Sequence, residues 1–370
     1  MHIPNIIGKT EEELIRYVED RGFRNFHGKQ IFKWIYDKFV DDFSSMTDLP
    51  TRLRECLKSD FVLRYYIPIK SLASRKRDAI KYIFRTEDGI DIENVILSDR
   101  GGRTSFCISS QIGCPVGCIY CATGLIGFIR NLRGEEIINE VVSLEKIHGK
   151  PDSILFMGMG EPLLNYREVI KAVSFFEHIG FGPRKITIST IGIPGKIREL
   201  ATGELRPRLA VSIGSPFEEK RRKIIPFARL HTLAQLKDAL KYYHRKTKRR
   251  VTLEYTLIGG INDSLEEASA LCEIARELDA HVNIIRYNQP PAMSRVGLNL
   301  ISPGAITTPG AGIPPGAVPS PKKVAGFRSV LEDAGIKVTE RFRRGLDIGA
   351  ACGQLVFIHR GLKSRRTGKN

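Results

Sequence analysis

No apolar run in this 370-residue chain approaches the roughly 18 residues that a membrane-crossing helix needs, which excludes a helical membrane protein. The opening MHIPNIIGKT also lacks the basic, apolar and small-residue sections of a signal peptide, so a soluble, cytoplasmic protein is expected. There is no internal repeat, which sets aside repeat architectures. Acidic residues are scarce beside basic ones, 41 against 58, leaving a formal net charge of +17. An even cysteine count is missing too: the seven are Cys56, Cys107, Cys114, Cys118, Cys121, Cys272 and Cys352. In a reducing compartment a set this uneven fits metal binding or redox chemistry better than a disulfide framework.

What is present is enough chain for a large core, in one big domain or a large one with a small one. The positive surplus concentrates in SRKR (Ser74 to Arg77), in HRKTKRR (His244 to Arg250) and in the tail HRGLKSRRTGKN. A single run of this kind is ordinarily a solvated face. A surplus of 17 over the whole chain points instead to nucleic acid, because each phosphate neutralised releases counterions.

The first sixty residues read as helices. Thr10 followed by Glu13 fits a capping box, and GKQIFKWIYDKFV places Ile31, Trp34, Ile35 and Phe39 at helical spacing. Residues 1–77 are therefore expected to form a small helical module. Residues 78–100 form a linking β-hairpin, DAIKYIFRT and GIDIENVILS, around Glu87, Asp88 and Gly89.

From Arg103 strands and helices alternate. The strand candidates are TSFCISS, SILFMG, KITIST, RLAVSI, RVTLEYTLI and HVNIIRY; helices are expected at Glu135 to His148, Tyr166 to His178, Leu233 to Tyr243 and Ser264 to Leu278. Six β-then-α units imply an α/β fold with a parallel sheet, as a partial barrel or an open doubly wound sheet. Either places an active site at the carboxyl ends of the strands. A Gly- and Pro-rich loop, Ile301 to Pro321, precedes a last helix and strand. The core is taken as residues 101–345, followed by a terminal segment, 346–370.

Cys114, Cys118 and Cys121 form C-x3-C-x2-C after the first core strand, in a loop where Gly113 and Gly117 let the backbone fold around a bulky object. Three thiolates can bind three irons of a cubane cluster and leave the fourth open to another ligand. The alternative is structural zinc, which wants a fourth Cys or His nearby, and His148 is the nearest downstream.

The spacing resembles that of the radical S-adenosylmethionine (SAM) enzymes. That resemblance implies a partial (β/α)6 barrel and one 4Fe-4S cluster whose open iron is chelated by the amino and carboxylate groups of SAM. A reduced cluster then cleaves SAM to a 5′-deoxyadenosyl radical. In GMGEP, Gly160 allows close backbone approach and Glu161 can accept from the methionine amino group; a plain strand-to-helix turn explains the glycines but not Glu161. Ser189 and Ser212 end the third and fourth strands, where each is equally well an ordinary helix cap. Asn288 follows the sixth strand and is expected to meet the adenine or ribose of SAM.

SFCISSQIGC, FMGMGEPLLN, ISTIGI, EYTLIGGINDS, NIIRYN and DIGAACGQL, with the N-terminal GKQIFKWIY and MTDLPTRLRECL, together resemble the RlmN/Cfr family of radical-SAM RNA adenine methyltransferases over nearly the whole chain. The resemblance implies an RNA substrate, an adenosine of 23S ribosomal RNA and also of transfer RNA, methylated at carbon 2 or, as the alternative, carbon 8. It implies that Cys352 receives a methyl group, that Cys107 resolves the adduct by forming a transient disulfide, and that Glu93 is the base. An electron donor and a thiol reductant are implied partners. Without the family, Cys107 and Cys352 read as small buried hydrophobes, as Cys56 and Cys272 still do. The chain departs from the family at Gly214, expected to meet SAM through its backbone where a His is usual after Ser212 and Ile213, at IIPFARLH, and in the loop Ile301 to Pro321. An iron-sulfur RNA-binding relative without catalysis is the alternative from another class; intact Cys107, Cys352 and Glu161 stand against it.

Overall fold

The computed structural model describes residues 3–289, 313 and 316–355. The N-terminal module is helical, with α1 (Glu11–Glu19), α2 (Phe26–Tyr36) and α3 (Thr51–Asp60). The capping box forms: Glu13 N donates to Thr10 Oγ1 at 3.2 Å, and Thr10 N donates to Glu13 Oε2 at 2.8 Å. Ile31 and Ile35 are buried on α2, as their spacing predicts. Phe39 is not part of that helix, because the chain leaves it after Tyr36 and Phe39 takes a left-handed φ of 51°. Phe32 and Tyr36 pack on Phe175 of the core, which seats the module.

The sheet has ten strands in sequential order. These are β1 (Pro68–Ala73), β2 (Ala79–Arg85), β3 (Asp91–Ser98), β4 (Thr104–Ile108), β7 (Ser153–Phe156), β8 (Ile186–Thr190), β9 (Arg208–Ser212), β10 (Thr252–Leu257), β11 (His281–Arg286) and β12 (Val338–Glu340). The expected hairpin is β2 and β3, in antiparallel register from Ala79–Leu97 to Arg85–Asp91. Sequence reading misses β1, since PIKSLA is mostly exposed at the sheet edge and has no apolar alternation. From β4 to β12 every pairing is parallel.

The helices between these strands include α5 (Gly134–His148), α6 (Tyr166–His178), α7 (Pro194–Thr202), α8 (Glu218–Ile224), α9 (Leu233–Thr247), α10 (Leu265–Glu277) and α11 (Pro321–Asp333). Six β/α units thus precede a seventh parallel strand. Strand order never reverses, so the switch point of a doubly wound sheet is absent. The sheet curls instead, because Cys107 on β4 and Arg341 beyond β12 line one cavity. Most of the loop 301–321 and the basic tail lie outside the described residues.

A second small sheet, β5 (Gln111–Gly113) with β6 (Phe128–Asn131), brackets the short α4 (Ala122–Ile126) and the cysteine loop. Gly113 is required there, since a Cβ would lie 1.9 Å from the Gly127 carbonyl oxygen and its φ is 72°.

Beneath β3 and β4, Glu140 of α5 is fully buried, and burial pushes its carboxyl up to about 8. Its Oε2 accepts from Ser109 N at 2.9 Å and from the Asn94 amide. Glu140 Oε1 and Asn94 Oδ1 both lack a partner. A proton on the carboxyl would satisfy both, as donor and acceptor. A raised carboxyl stabilises the fold below its unfolded value near 4.5, and that contribution is lost as pH rises toward 8. Glu140→Gln keeps the acceptor and supplies a permanent donor. Its stability advantage over wild type in urea unfolding should therefore grow from pH 5.5 to pH 8, by at most about 1.4 kcal/mol for each pH unit crossed. An advantage independent of pH would show that Glu140 is ionised in the fold.

Candidate active site

Cys114, Cys118 and Cys121 all border one cavity, in the loop between β5 and β6. Cys114 N donates to Gly127 O at 2.9 Å, and Cys121 N to Cys118 O at 3.1 Å. Cys114 and Cys118 are buried and Cys121 half-buried. Burial raises all three thiols above their ordinary range, and neighbouring thiol charge raises Cys114 and Cys118 further. Three thiolates here would need a shared positive centre. Among the described residues no three His, Cys, Asp or Glu side chains converge as they would on one ion. His148, the fourth ligand that zinc would want, instead bonds Tyr82 Oη at 2.5 Å. The three thiols border a cavity of about 140 Å³ whose far wall includes Gly158 and Gly160. Gly160 has a φ of 99°, and a Cβ there would lie 2.5 Å from Gln111 Cβ. Three soft donors facing a backbone-lined cradle fit an iron-sulfur cluster with a bound amino-acid moiety.

Glu161, Ser189, Ser212 and Asn288 border this same cavity. Glu161 is buried, and burial pushes its carboxyl up to about 7. Its oxygens also accept from Leu163 N at 3.0 Å and Ile191 N at 2.8 Å, so it clamps the ends of β7 and β8 together. Ser189 is not a helix cap; its hydroxyl donates to Glu254 Oε2 at 2.6 Å. Ser212 bonds the Tyr120 hydroxyl. Gly214, expected at the cofactor, does not border the cavity. It sits at a left-handed turn with φ 72°, its carbonyl accepting from Asn262 Nδ2 at 2.8 Å. A Cβ there would meet Ile225 Cδ1 at 2.9 Å.

A second cavity, of about 190 Å³, lies on the open side of the barrel between β3–β4 and β12. Cys107 and Cys352 both border it, with Val95, Leu97 and Arg341. Cys352 borders the first cavity as well. It stands at the boundary between them. Asn288 Nδ2 donates to its carbonyl at 3.1 Å, and Gly353 O accepts from Ala122 N at 2.7 Å, at the end of the cysteine loop. Cys107 is buried, and its thiol is pushed up to about 12, first by burial and then by Cys352. Glu93 projects from the same face of β3 as Val95 and Leu97, and pairs with Lys81 Nζ at 3.1 Å, both side chains buried.

Sequence reading missed Arg341, Glu254 and Lys81. Arg341 Nη1 donates to Met157 Sδ at 2.9 Å and lies 3.7 Å from Glu254 Oε1. Its guanidinium is raised chiefly by Cys352 and also by Glu254 and Cys107. The rule that found Ser189, a polar residue ending a core strand, would also have found Arg341 after VTE. The run His244 to Arg250 lies elsewhere, in the last turn of α9 and the turn from it into β10, at the opposite ends of the strands from the cysteines. Within it Arg250 pairs with Asp279 at 2.9 Å.

Residues 108–272 match the Radical SAM superfamily, and residues 4–63 match the ribosomal RNA large subunit methyltransferase N-terminal domain. A probable dual-specificity RNA methyltransferase RlmN from Thermotoga neapolitana is 38% identical over 355 residues, 95% of this chain and 97% of that protein. A Thermus thermophilus protein of the same description is 40% identical over 335 residues, covering 89% and 88%. Among solved structures, a radical SAM methyltransferase from Sphaerobacter thermophilus superposes with a TM-score of 0.84 at 35% identity, over 95% of this chain and 98% of that one.

Because Arg341 lowers the Cys107 thiol against the effect of burial, its removal should make Cys107 harder to deprotonate. Arg341→Met is expected to slow iodoacetamide labelling of Cys107 at pH 8, read by peptide mass spectrometry, by roughly the factor by which its thiolate fraction falls. Arg341→Lys should retain most of the rate. Equal rates in all three proteins would leave Arg341 with a packing role only.

Proposed function

The chain belongs to the RlmN family of radical SAM RNA methyltransferases, and we propose that it methylates carbon 2 of an adenosine in 23S ribosomal RNA, and also in transfer RNA, through a methyl group carried on Cys352. Membership of the radical SAM superfamily implies a 4Fe-4S cluster and SAM. Cys114, Cys118 and Cys121 would hold the cluster, and Gly160, Glu161, Ser189, Ser212 and Asn288 would meet SAM. When bound, this pair supplies methyl groups and a hydrogen-abstracting radical.

The observation that carries the reading is the position of Cys352. It borders the cavity of the three cysteines on one side and that of Cys107 on the other. Adenine ring carbons are electron-poor and carry no lone pair, so they cannot attack a methyl donor directly. A sulfur relay between two compartments answers that difficulty. The Cys352 thiol accepts the methyl group and loses its proton. The methyl then gives up one hydrogen atom to the radical that the cofactor pair would supply and bonds through its carbon to the adenine, the one electron left over passing back to that pair. Glu93, its charge compensated by Lys81, takes the proton from the ring carbon. The Cys107 thiolate then attacks the Cys352 sulfur, and the S–C bond breaks with its electron pair staying on carbon. That carbon takes up a proton and becomes the product methyl group. Two thiols are thereby oxidised to a disulfide, which an external thiol reductant must reopen. The base must leave its stack to reach this depth, and one lateral opening serves that purpose.

Two results test the reading. Anaerobically reconstituted protein should contain about four irons per chain, lost on replacing Cys118 by Ala; stoichiometric zinc without iron would overturn the cluster. With SAM and a reductant, Cys352→Ala should yield no methylated RNA, whereas Cys107→Ala should stall as RNA joined covalently to Cys352, surviving denaturation and requiring both SAM and the reduced cluster. Normal turnover by either variant refutes the sulfur relay. Mass spectrometry of the released nucleosides should find 2-methyladenosine; 8-methyladenosine would reassign the ring position.

A further inference from the structure

Immediately beyond β12 the chain runs Arg341, Phe342, Arg343, Arg344, and all four border the Cys107–Cys352 cavity. Arg341 turns inward to Met157 and Glu254, and Arg343 Nε donates to Asn288 Oδ1 at 2.9 Å. Phe342, between them, is 69% exposed. An isolated exposed aromatic needs no explanation, but this one stands at the mouth of the reaction cavity and is flanked by cations. From across the opening, the Arg100 guanidinium lies 5.7 Å from the Phe342 ring centroid. The β1–β2 turn adds Arg75, Lys76 and Arg77, all exposed, and Arg75 N ties it to the terminal segment through Asp347 Oδ2 at 2.9 Å. The acids nearby are already engaged, Asp99 by Arg103, Glu340 of the cavity wall by Arg286, and Asp347 by that turn.

A flat apolar ring surrounded by guanidinium groups is complementary to one kind of chain, a nucleic acid with bases out of their duplex stack. We propose that Phe342 is the stacking platform for the nucleotide adjoining the target adenosine, with Arg100 on the ring and neighbouring phosphates held by the rim cations. The assignment rests on the RNA-methylation reading. Drawing one base into the cavity strips a neighbour of its stacking partner, and Phe342 replaces that lost face. The same rim supplies phosphate contacts near the opening, which the run His244 to Arg250 cannot do from the opposite strand ends.

The test uses reconstituted full-length enzyme and an unmodified 23S ribosomal RNA transcript, first to map the methylated adenosine and then with 2-aminopurine placed on either side of it. Phe342→Ala is expected to raise KM for RNA about 5- to 100-fold, with a smaller change in kcat, and to abolish 2-aminopurine quenching at one flanking position. Phe342→Tyr should restore both, and Arg100→Gln should weaken binding while flattening its salt dependence. Phe342 is exposed, so its truncation removes no core packing. If wild type methylates the RNA but Phe342→Ala matches it in KM and quenching, the platform is refuted while the activity stands. If wild type methylates no RNA, the premise fails and the assignment with it.

Discussion

The structure depends on keeping negative charge under control inside the barrel. Five thiols, Cys107, Cys114, Cys118, Cys121 and Cys352, share the interior with the carboxylates of Glu93, Glu161 and Glu254. Isolated in such surroundings, each would shed its charge by taking up a proton. The fold answers group by group. Lys81 sits on Glu93, backbone amides from two strand ends sit on Glu161, and Arg341 stands among Glu254, Cys107 and Cys352. Backbone amides and the Tyr120 and Thr123 hydroxyls lower the three clustered cysteines, but burial and thiol neighbours outweigh them and raise all three. A cationic inorganic centre is the compensation that their chemistry fits.

The terminal segment can hold Cys352 between two cavities because its backbone is pinned on both sides. Gly345, Gly349 and Gly353 take φ values of 65°, 62° and 80°, turning the chain tightly across the barrel opening. A Cβ at Gly353 would lie 2.9 Å from the Tyr120 carbonyl oxygen, in the cysteine loop. Thr123 Oγ1 donates to Leu355 O at 2.8 Å, and Lys81 Nζ donates to Gly349 O at 3.3 Å. Lys81 therefore joins two tasks, compensating Glu93 and anchoring the segment that presents Cys352.

Much of this was legible in the sequence where one residue type answers one physical need. The core strands are short segments rich in β-branched and apolar residues between turn signals, and the cysteine spacing is a local signature that survives any loop geometry. The polar residues ending strands at one rim were also readable, since the fold class places them together. What escaped reading depends on partners distant in the chain. Arg341 acquires meaning only beside Met157, Glu254 and Cys352; Lys81 only beside Glu93 and Gly349. The edge strand β1 pairs on one side alone, so its sequence carries little apolar pattern. Gly214 misled for the opposite reason: it adjoins Ser212, a cavity residue, yet the backbone turns there and carries it behind the wall.

The two cavities also constrain how two large reactants can share one thiol. The cavity of the three cysteines lies behind Cys352, bordered by the ends of β7 to β11, whereas the Cys107 cavity lies on the open side between β3–β4 and β12. A cofactor held at the first is separated from a base admitted through the second by the terminal segment itself. Cys352, with Met157, Ile285, Asn288 and Arg341, thus borders both compartments. On the proposed reading, that arrangement would keep a reactive centre away from bulk RNA and would account for a carbon carried on a side chain. It also explains the depth of Cys107. On the proposed relay, a resolving thiol exposed at the opening would meet outside thiols and oxidants before the adduct formed, whereas Cys107 is buried on β4, held protonated by its surroundings, and shares its cavity with Cys352.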